Sequence, residues 1–181
     1  KQKISAIVEK EFKIPNFSSG SGMAKINNVF YACGDDDARL WFLDNEGKVF
    51  NTWQIWDTTD IENNRISKKV KPDFEAITNI TIQNDSVLLI FGSGTKAVKR
   101  EYIIEAHITP NQFAYRKNAQ KLYEWIKKQA NLGEDELNIE GACSLPEDIL
   151  ITNRHNNQMY QINKKGLLNY LENNDLSLLS M

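Results

Sequence analysis

The stretch from Glu75 to Ile108 reads EAITNITIQNDSVLLIFGSGTKAVKREYIIEAHI and contains a strand pattern that recurs along the chain. A short apolar entry is followed by the turn QND, the wholly apolar run Val87–Phe91, the turn GSGTK and the run Arg100–Ile104. Short apolar runs between Asn, Asp and Gly turns are typical of antiparallel strands, because those residues tolerate the backbone angles of tight turns. The stretch therefore predicts one antiparallel β-unit.

The same pattern begins again at two other positions, so that Ser21, Glu75 and Glu140 are equivalent and each is followed by Gly or Ala. These starts are 54 and 65 residues apart, which is close to the period of propeller blades with variable insertions. The sequence predicts an all-β fold of β-propeller-type blades, about three in number; a sandwich and a partly open barrel are the alternatives. The further predicted strands are Val29–Cys33, Arg39–Leu43, Ile149–Thr152 and Gln158–Ile162, and NKKG (163–166) is predicted to form the turn after the last of them.

Two insertions separate the three units. In residues 51–71, the alternation of Trp53 and Ile55 predicts a further strand, and the polar remainder predicts an exposed loop. In the second insertion, apolar residues share one helical face and predict an amphipathic helix near residues 117–131, with Gly133 as the left-handed residue that ends it. The residues of that face are Leu122, Trp125, Ile126 and Ala130.

Composition excludes some classes of function. The 181 residues include 22 Lys+Arg and 24 Asp+Glu, so the net charge of −2 argues against nucleic-acid or anionic-membrane binding. No run of eighteen apolar residues occurs, so we expect a soluble chain without membrane insertion, with the cytoplasm favoured over the periplasm. Cys33 and Cys143 lack a CxxC spacing and stand among small or apolar residues, which predicts two buried free thiols.

Six short motifs, in this order, resemble an uncharacterised group of bacterial β-propeller proteins that is distantly similar to phytase-like and esterase-like propellers. The resemblance implies a ring longer than this chain, so residues 1–181 are expected to be one propeller-like domain that is a fragment, or a ring completed by self-association. His155 stands where the family usually has glycine. The motifs are SGMA (21–24), GDDDARLWFLD (34–44), KPDFEA (71–76), LLIFGSG (88–94), LNIEGA (137–142) and NRHN (153–156).

Equivalent positions of successive blades point toward one axis, so Glu75 and Glu140 are predicted to face a common space as ligand-binding residues. Arg100 and Arg154 follow matching turns and are predicted to bind an anionic ligand or the glutamate of a neighbouring blade. The alternative is that each Glu-Gly or Glu-Ala step marks a turn that needs a small residue, with a solvated glutamate.

A metal is the second prediction for this space. Converging carboxylates require a cation, and Glu75, Glu140, Asp35 and Asp36 offer the hard oxygen ligands that calcium prefers, whereas two histidines are too few for a zinc site. GDDDAR also fits a polar hairpin turn. Strand direction decides whether these aspartates share a mouth with the glutamates, and the sequence leaves that open.

Three functions remain open at this point. The first is a binding module that holds a small molecule, a metal or a protein partner at the channel mouth. The second is a metal-dependent hydrolase of phosphoesters, esters or lactones, in which a glutamate acts as ligand or general base. The third is a purely structural ring.

Overall fold

The computed structural model describes residues 5–8, 11–96 and 99–181, and these are mostly β-structure. Every pairing between neighbouring strands is antiparallel. The strands are β1 Gly20–Ile26, β2 Val29–Gly34, β3 Arg39–Leu43, β4 Val49–Gln54, β5 Ile61–Glu62, β6 Arg65–Ile66, β7 Phe74–Ile82, β8 Asp85–Gly92, β9 Tyr102–His107, β10 Phe113–Asn118, β11 Ile139–Ser144, β12 Asp148–Asn153 and β13 Gln158–Asn163, and the helices are α1 Gln120–Gln129 and α2 Lys164–Asn173.

The strands form three successive sheets and one small hairpin. The first sheet has the order β1-β2-β3-β4, the second β7-β8-β9-β10 and the third β11-β12-β13, while β5 and β6 pair alone. The innermost strand β7 lies beside both β1 and β11. The three sheets are therefore arranged like consecutive propeller blades, which confirms the predicted fold class, although they do not close into a ring within the described residues.

The second sheet is buried on both faces, which explains the wholly apolar run of β8. Alternate side chains of a strand point to opposite faces, so Leu88 and Ile90 pack toward the first sheet while Leu89 packs toward the third sheet and the helices. Each of these side chains is fully buried. On the far side, Tyr123 of α1 and Tyr170 of α2 complete the core.

The helices show where the sequence prediction was incomplete. α1 lies within the predicted range, but the left-handed residue after it is Asn131, with φ of 54°, and not Gly133. α2 was not predicted, and residues 163–166 were interpreted as a turn. Its apolar positions, at spacings of three and four, face the core: Leu167, Tyr170 and Leu171.

The two cysteines differ in burial. Cys33 is fully buried as predicted, whereas Cys143 is exposed, so the prediction for the second thiol was wrong. Cys143 pairs with Leu150 on the face of the third sheet opposite to Ile149 and Ile151, which pack in the core. No helix in the described part of the chain is long and apolar enough to cross a bilayer.

Candidate functional site

The three equivalent residues occupy the same irregularity of strand pairing. The register shifts between Gly20 and Gly22, between Phe74 and Ala76, and between Ile139 and Gly141. Ser21, Glu75 and Glu140 are therefore the extra residues of three β-bulges at the starts of the inner strands. A bulge redirects a side chain out of the regular alternation, so each inner strand has one displaced side chain close to its start.

Close packing restricts the residue after the first and third bulges to a glycine. A Cβ at Gly22 would lie 2.9 Å from Cγ2 of Ile77 and 3.1 Å from Sγ of Cys33, because β1 and β7 approach closely there. A Cβ at Gly141 would lie 2.8 Å from Oγ1 of Thr152. The small-residue part of the turn interpretation is therefore supported, independently of any role for the glutamates.

An equivalent backbone hydrogen bond in each of the three sheets joins the start of the first strand to the end of the second strand. In every sheet the residue after the second strand donates its N–H to the residue two positions before the bulge. The aspartate loop and Arg154 therefore lie at the same end as the glutamates, which settles the question of strand direction. The bonds are Asp35 N to Ser19 O at 3.1 Å, Ser93 N to Asp73 O at 2.9 Å and Arg154 N to Asn138 O at 2.9 Å.

Asp73 is the centre of a buried polar network. Its Oδ1 lies 2.5 Å from Nζ of Lys71, and its Oδ2 accepts hydrogen bonds of 2.6 Å from both Oγ of Ser93 and Nη1 of Arg100. The residue is 5% exposed and has a left-handed φ of 57°, a conformation that Asp tolerates better than most residues. Two cations and a hydroxyl thus compensate the burial of one carboxylate.

The ion pairs differ from those predicted between blades. Arg100 pairs with Asp73, and Arg154 lies 3.2 Å from Glu140, so each arginine binds within its own sheet. The link between the first two sheets is made by Lys71, whose Nζ lies 2.6 Å from Oδ2 of Asp35 as well as close to Asp73.

Glu75 stands beside this network without a partner of its own. Its carboxylate makes no hydrogen bond or ion pair with any residue in the described ranges, although ligand atoms of Asp35, Asp73 and Glu75 all lie within 4.8 Å of one another. Burial raises the pKa of Glu75 to about 7, and repulsion from Asp73, Glu140 and Asp35 adds to this effect, against the attraction of Lys71. The Glu75 carboxyl is therefore partly protonated near neutral pH.

Glu140 has the equivalent position but a different environment. Its Oε1 accepts hydrogen bonds from Nδ2 of Asn138 at 2.9 Å and from Nη1 of Arg154 at 3.2 Å. The Arg154 side chain is 73% exposed, so this ion pair is largely solvated.

Asp36 lies outside the group of converging carboxylates. Its Oδ2 is 2.5 Å from Nε of Arg65 on β6, and the residue is buried. Asp37 is also buried and binds Arg39 and Nε1 of Trp41. The loop does connect β2 and β3 as the hairpin interpretation predicts, but its aspartates form ion pairs instead of a solvated turn. We call the following charged residues around the bulges the bulge cluster: Asp35, Lys71, Asp73, Glu75, Arg100, Glu140 and Arg154.

Comparison with known families places this architecture in a defined group. The model of a family of unknown function, DUF6929, matches residues 16–180. The chain belongs to the DUF6929 family. In this DUF6929 chain the match includes all three sheets, both helices and the whole bulge cluster. The comparison with curated proteins found no similar sequence.

Sequence reasoning missed three polar residues of this network in the DUF6929 chain: Lys71, Asp73 and Ser93. A signal for them was present, since Lys71 and Asp73 belong to KPDFEA and Ser93 belongs to GSGTK. Aligning the three units two residues before each bulge would have paired Asp73 with Ser19 and Asn138, all of them polar. Their mutual contacts are not readable from that alignment, because they join different strands.

Proposed function

We propose that the chain is a binding module that takes up a divalent cation, with calcium as the candidate, at the bulge cluster. Glu75 is the principal ligand, and Asp35 and Glu140 are its neighbours. The observation that carries this proposal is that Glu75 has no hydrogen bond or ion pair with the described residues although it lies among other carboxylates. Oδ1 of Asp35 is likewise buried without a described partner.

The charges of the bulge cluster support a cation as ligand. Its four carboxylates face three cationic side chains, and the ion pairs among the described residues use Asp35, Asp73 and Glu140. The excess negative charge therefore falls on Glu75, where a proton or a metal ion can neutralise it. The cluster offers carboxylate oxygens and no sulfur or imidazole, and this donor set suits calcium better than zinc.

Lys71 limits how many protein ligands the ion can have. Its ammonium group lies between Asp35 and Asp73 at 2.6 and 2.5 Å, so an ion cannot bind both aspartates through the same oxygens without displacing it. We therefore place the ion on the Glu75 side, with water or a bound ligand filling further positions. Few protein ligands imply weak affinity, with a dissociation constant of about 0.1–1 mM.

Calorimetric titration with calcium at pH 7, in two buffers of different ionisation enthalpy, tests the proposal. A carboxyl with a pKa of about 7 is half protonated there, so saturable binding should release about half a proton per ion. Glu75→Gln should abolish both signals, whereas Glu46→Gln, in the exposed β3–β4 turn, should leave them intact. Absence of binding, or binding that Glu75→Gln does not change, would refute a cation site at Glu75.

A metal-assisted hydrolase is the second candidate. The observation that favours it is the pKa of Glu75 near 7, which suits a general acid or base at neutral pH. The resemblance of the motifs to phytase-like and esterase-like propellers of bacteria points to phosphoesters or esters as substrates. Turnover of p-nitrophenyl phosphate or acetate that requires calcium and disappears in Glu75→Gln would establish this activity, and its absence would leave binding alone.

We also propose that the three sheets are consecutive blades of one domain whose ring is completed by further blades or by another copy. The exposed face of the third sheet supports this, since it presents Cys143 and Met159 to solvent. Sedimentation of the chain as given should then show self-association, and a strictly monomeric species would count against completion by another copy.

A further inference from the structure

We infer that a cleft between strands β9 and β10 and helix α2 is a second binding site, which takes a ligand carrying a guanidinium group. The cleft has a volume of about 400 Å³, within the range of small-molecule sites. Ile82, the last residue of β7, also lines it, so the cleft lies at the opposite end of that strand from the bulge cluster. The two proposals can therefore fail independently.

The sheet side of the cleft presents exposed aromatic rings in a fixed arrangement. Phe113 and Tyr115 are 39% and 51% exposed, and their ring centroids are 5.4 Å apart. Phe113 stacks on the buried His107 with a centroid distance of 4.2 Å, and the two residues are directly opposite in the β9–β10 pairing. Nε2 of His107 lies 2.8 Å from Oε1 of Glu105, which fixes the imidazole. The rings are thus held in place before any ligand arrives.

The ring of Tyr115 already attracts a cation of the chain. Nζ of Lys117 lies 4.9 Å from its centroid, a distance at which a cation is stabilised by the face of an aromatic ring. Arg116 is on the opposite face of β10, with its guanidinium 4.6 Å from the ring of Trp56. The same strand therefore shows both a lysine and an arginine against aromatic rings.

The charged groups of the cleft leave negative charge uncompensated. Oε1 of Glu105 is engaged by His107, but its Oε2 lies 3.9 Å from Lys117, beyond hydrogen-bond distance. On the opposite wall, the exposed Glu172 of α2 makes no hydrogen bond or ion pair with a residue of the described ranges. Lys121 lines the neighbouring groove, which Glu172 and Lys117 also line, but it does not line the cleft itself. Two carboxylates thus face one lysine, which favours a cationic ligand.

A guanidinium group fits this combination better than an ammonium group. It is planar, so it can stack on the Tyr115 ring in competition with Lys117, and its five N–H donors can reach carboxylates on both sides. Glu105 and Glu172 provide those acceptors on the sheet and on the helix. The ligand is either a free guanidino compound or an arginine side chain of a protein partner.

Titration of the chain with arginine amide, followed by amide NMR shifts, tests this inference. Shifts should be confined to Ile82 and Gln83 at the end of β7 and to β9, β10 and α2. The neutral isostere citrulline amide and the donor-free tetramethylammonium ion should each bind at least about tenfold more weakly, because they lack the charge or the donors. Glu172→Gln should weaken arginine amide about tenfold and Tyr115→Leu about fivefold. Phe50→Leu, which changes an equally exposed ring on β4, should have no effect.

Equal binding of citrulline amide, shifts located outside the cleft, or no saturable shift would overturn the inference. So would an unchanged affinity in both Glu172→Gln and Tyr115→Leu, two surface changes that leave the core intact. A blocked peptide with a central arginine separates the two sources within a confirmed site. Tighter binding than arginine amide identifies a protein ligand, and equal or weaker binding identifies a free small molecule.

Discussion

The bulges of the second and third sheets have the same backbone arrangement, but their glutamates have different environments. Both carry a glutamate as the extra residue, a small residue after it and the same backbone hydrogen bond across the strand pair. Glu75 nevertheless has no partner among the described residues and has a raised pKa, whereas Glu140 binds Asn138 and an exposed Arg154. The repeat therefore determines the backbone position of the glutamate, and the residues around it in space determine its charge state.

Replacement of the residue two positions before each bulge should give the largest difference in free energy of unfolding between the two regions. Asp73→Ala leaves Lys71 and Arg100 without their buried partner, so we expect a loss of about 3 kcal/mol in the free energy of unfolding. Asn138→Ala, at the equivalent place in the third sheet, should cost only about 1 kcal/mol, because it removes one side-chain hydrogen bond to the partly exposed Glu140 carboxylate and leaves no buried charge without a partner. Denaturant unfolding of both variants measures this contrast.

Asp73→Asn serves as the control for backbone strain in that experiment. Asn also tolerates the left-handed φ of 57°, so its loss reports the removed charge and not the conformation. Equal losses for Asp73→Ala and Asn138→Ala would show that the ion pairs of Asp73 contribute no more to the free energy of unfolding than the hydrogen bond of Asn138.

Stability against pH should distinguish Glu75 from its counterpart. The folded-state pKa of Glu75 is about 7, above the ordinary value of 4.5, so the folded state holds the proton more tightly between these values. The contribution of Glu75 to wild-type stability is therefore present below pH 4.5 and is lost as pH rises through 7. Glu75→Gln cannot ionise and should be more stable than wild type at pH 8, by about 1 kcal/mol after allowance for solvent screening, but not at pH 4.

Thermal unfolding at several pH values, with Glu46→Gln as a matched surface control, checks this expectation. A Glu75→Gln stability increment that stays constant from pH 4 to pH 8 would contradict a raised Glu75 pKa.

Removing the charge of Glu140 should reach Glu75 across the two sheets. Repulsion from Glu140 contributes to the raised pKa of Glu75, so Glu140→Gln should lower that pKa. Titration of the Glu75 side-chain carboxyl by carbon-13 NMR measures the change. An unaltered Glu75 titration would mean that the two bulges are electrostatically independent.

The smallest effect is expected for the exposed ion pair of the third sheet. Arg154→Met should change the free energy of unfolding by less than about 0.5 kcal/mol, because its side chain is 73% exposed. Chemical unfolding at low and high salt is a sufficient measurement. A loss above 1 kcal/mol would show that the third bulge depends on its arginine as strongly as a buried pair would.

Much of the fold was determined locally and could be predicted from the sequence. The strand Arg39–Leu43 was predicted with its observed bounds, and the apolar run Val87–Phe91 lies within β8. The equivalence of Ser21, Glu75 and Glu140 corresponds to three bulges because turn residues and close-packed small residues leave a direct trace in sequence. The apolar spacing of α2 was also present in the sequence, but the Asn-Lys-Lys-Gly stretch at its start is typical of a turn and led to a turn prediction there.

Only the tertiary structure decided which of the repeated glutamates is unpaired. The contact of Lys71 with Asp35 joins residues 36 positions apart, and the repulsion between Glu75 and Glu140 acts between two sheets. Likewise, the exposure of Cys143 depends on which face of the third sheet another layer covers. Turns and strand periodicity follow from neighbouring residues, whereas charge state and burial depend on distances that exist only once the sheets have packed together.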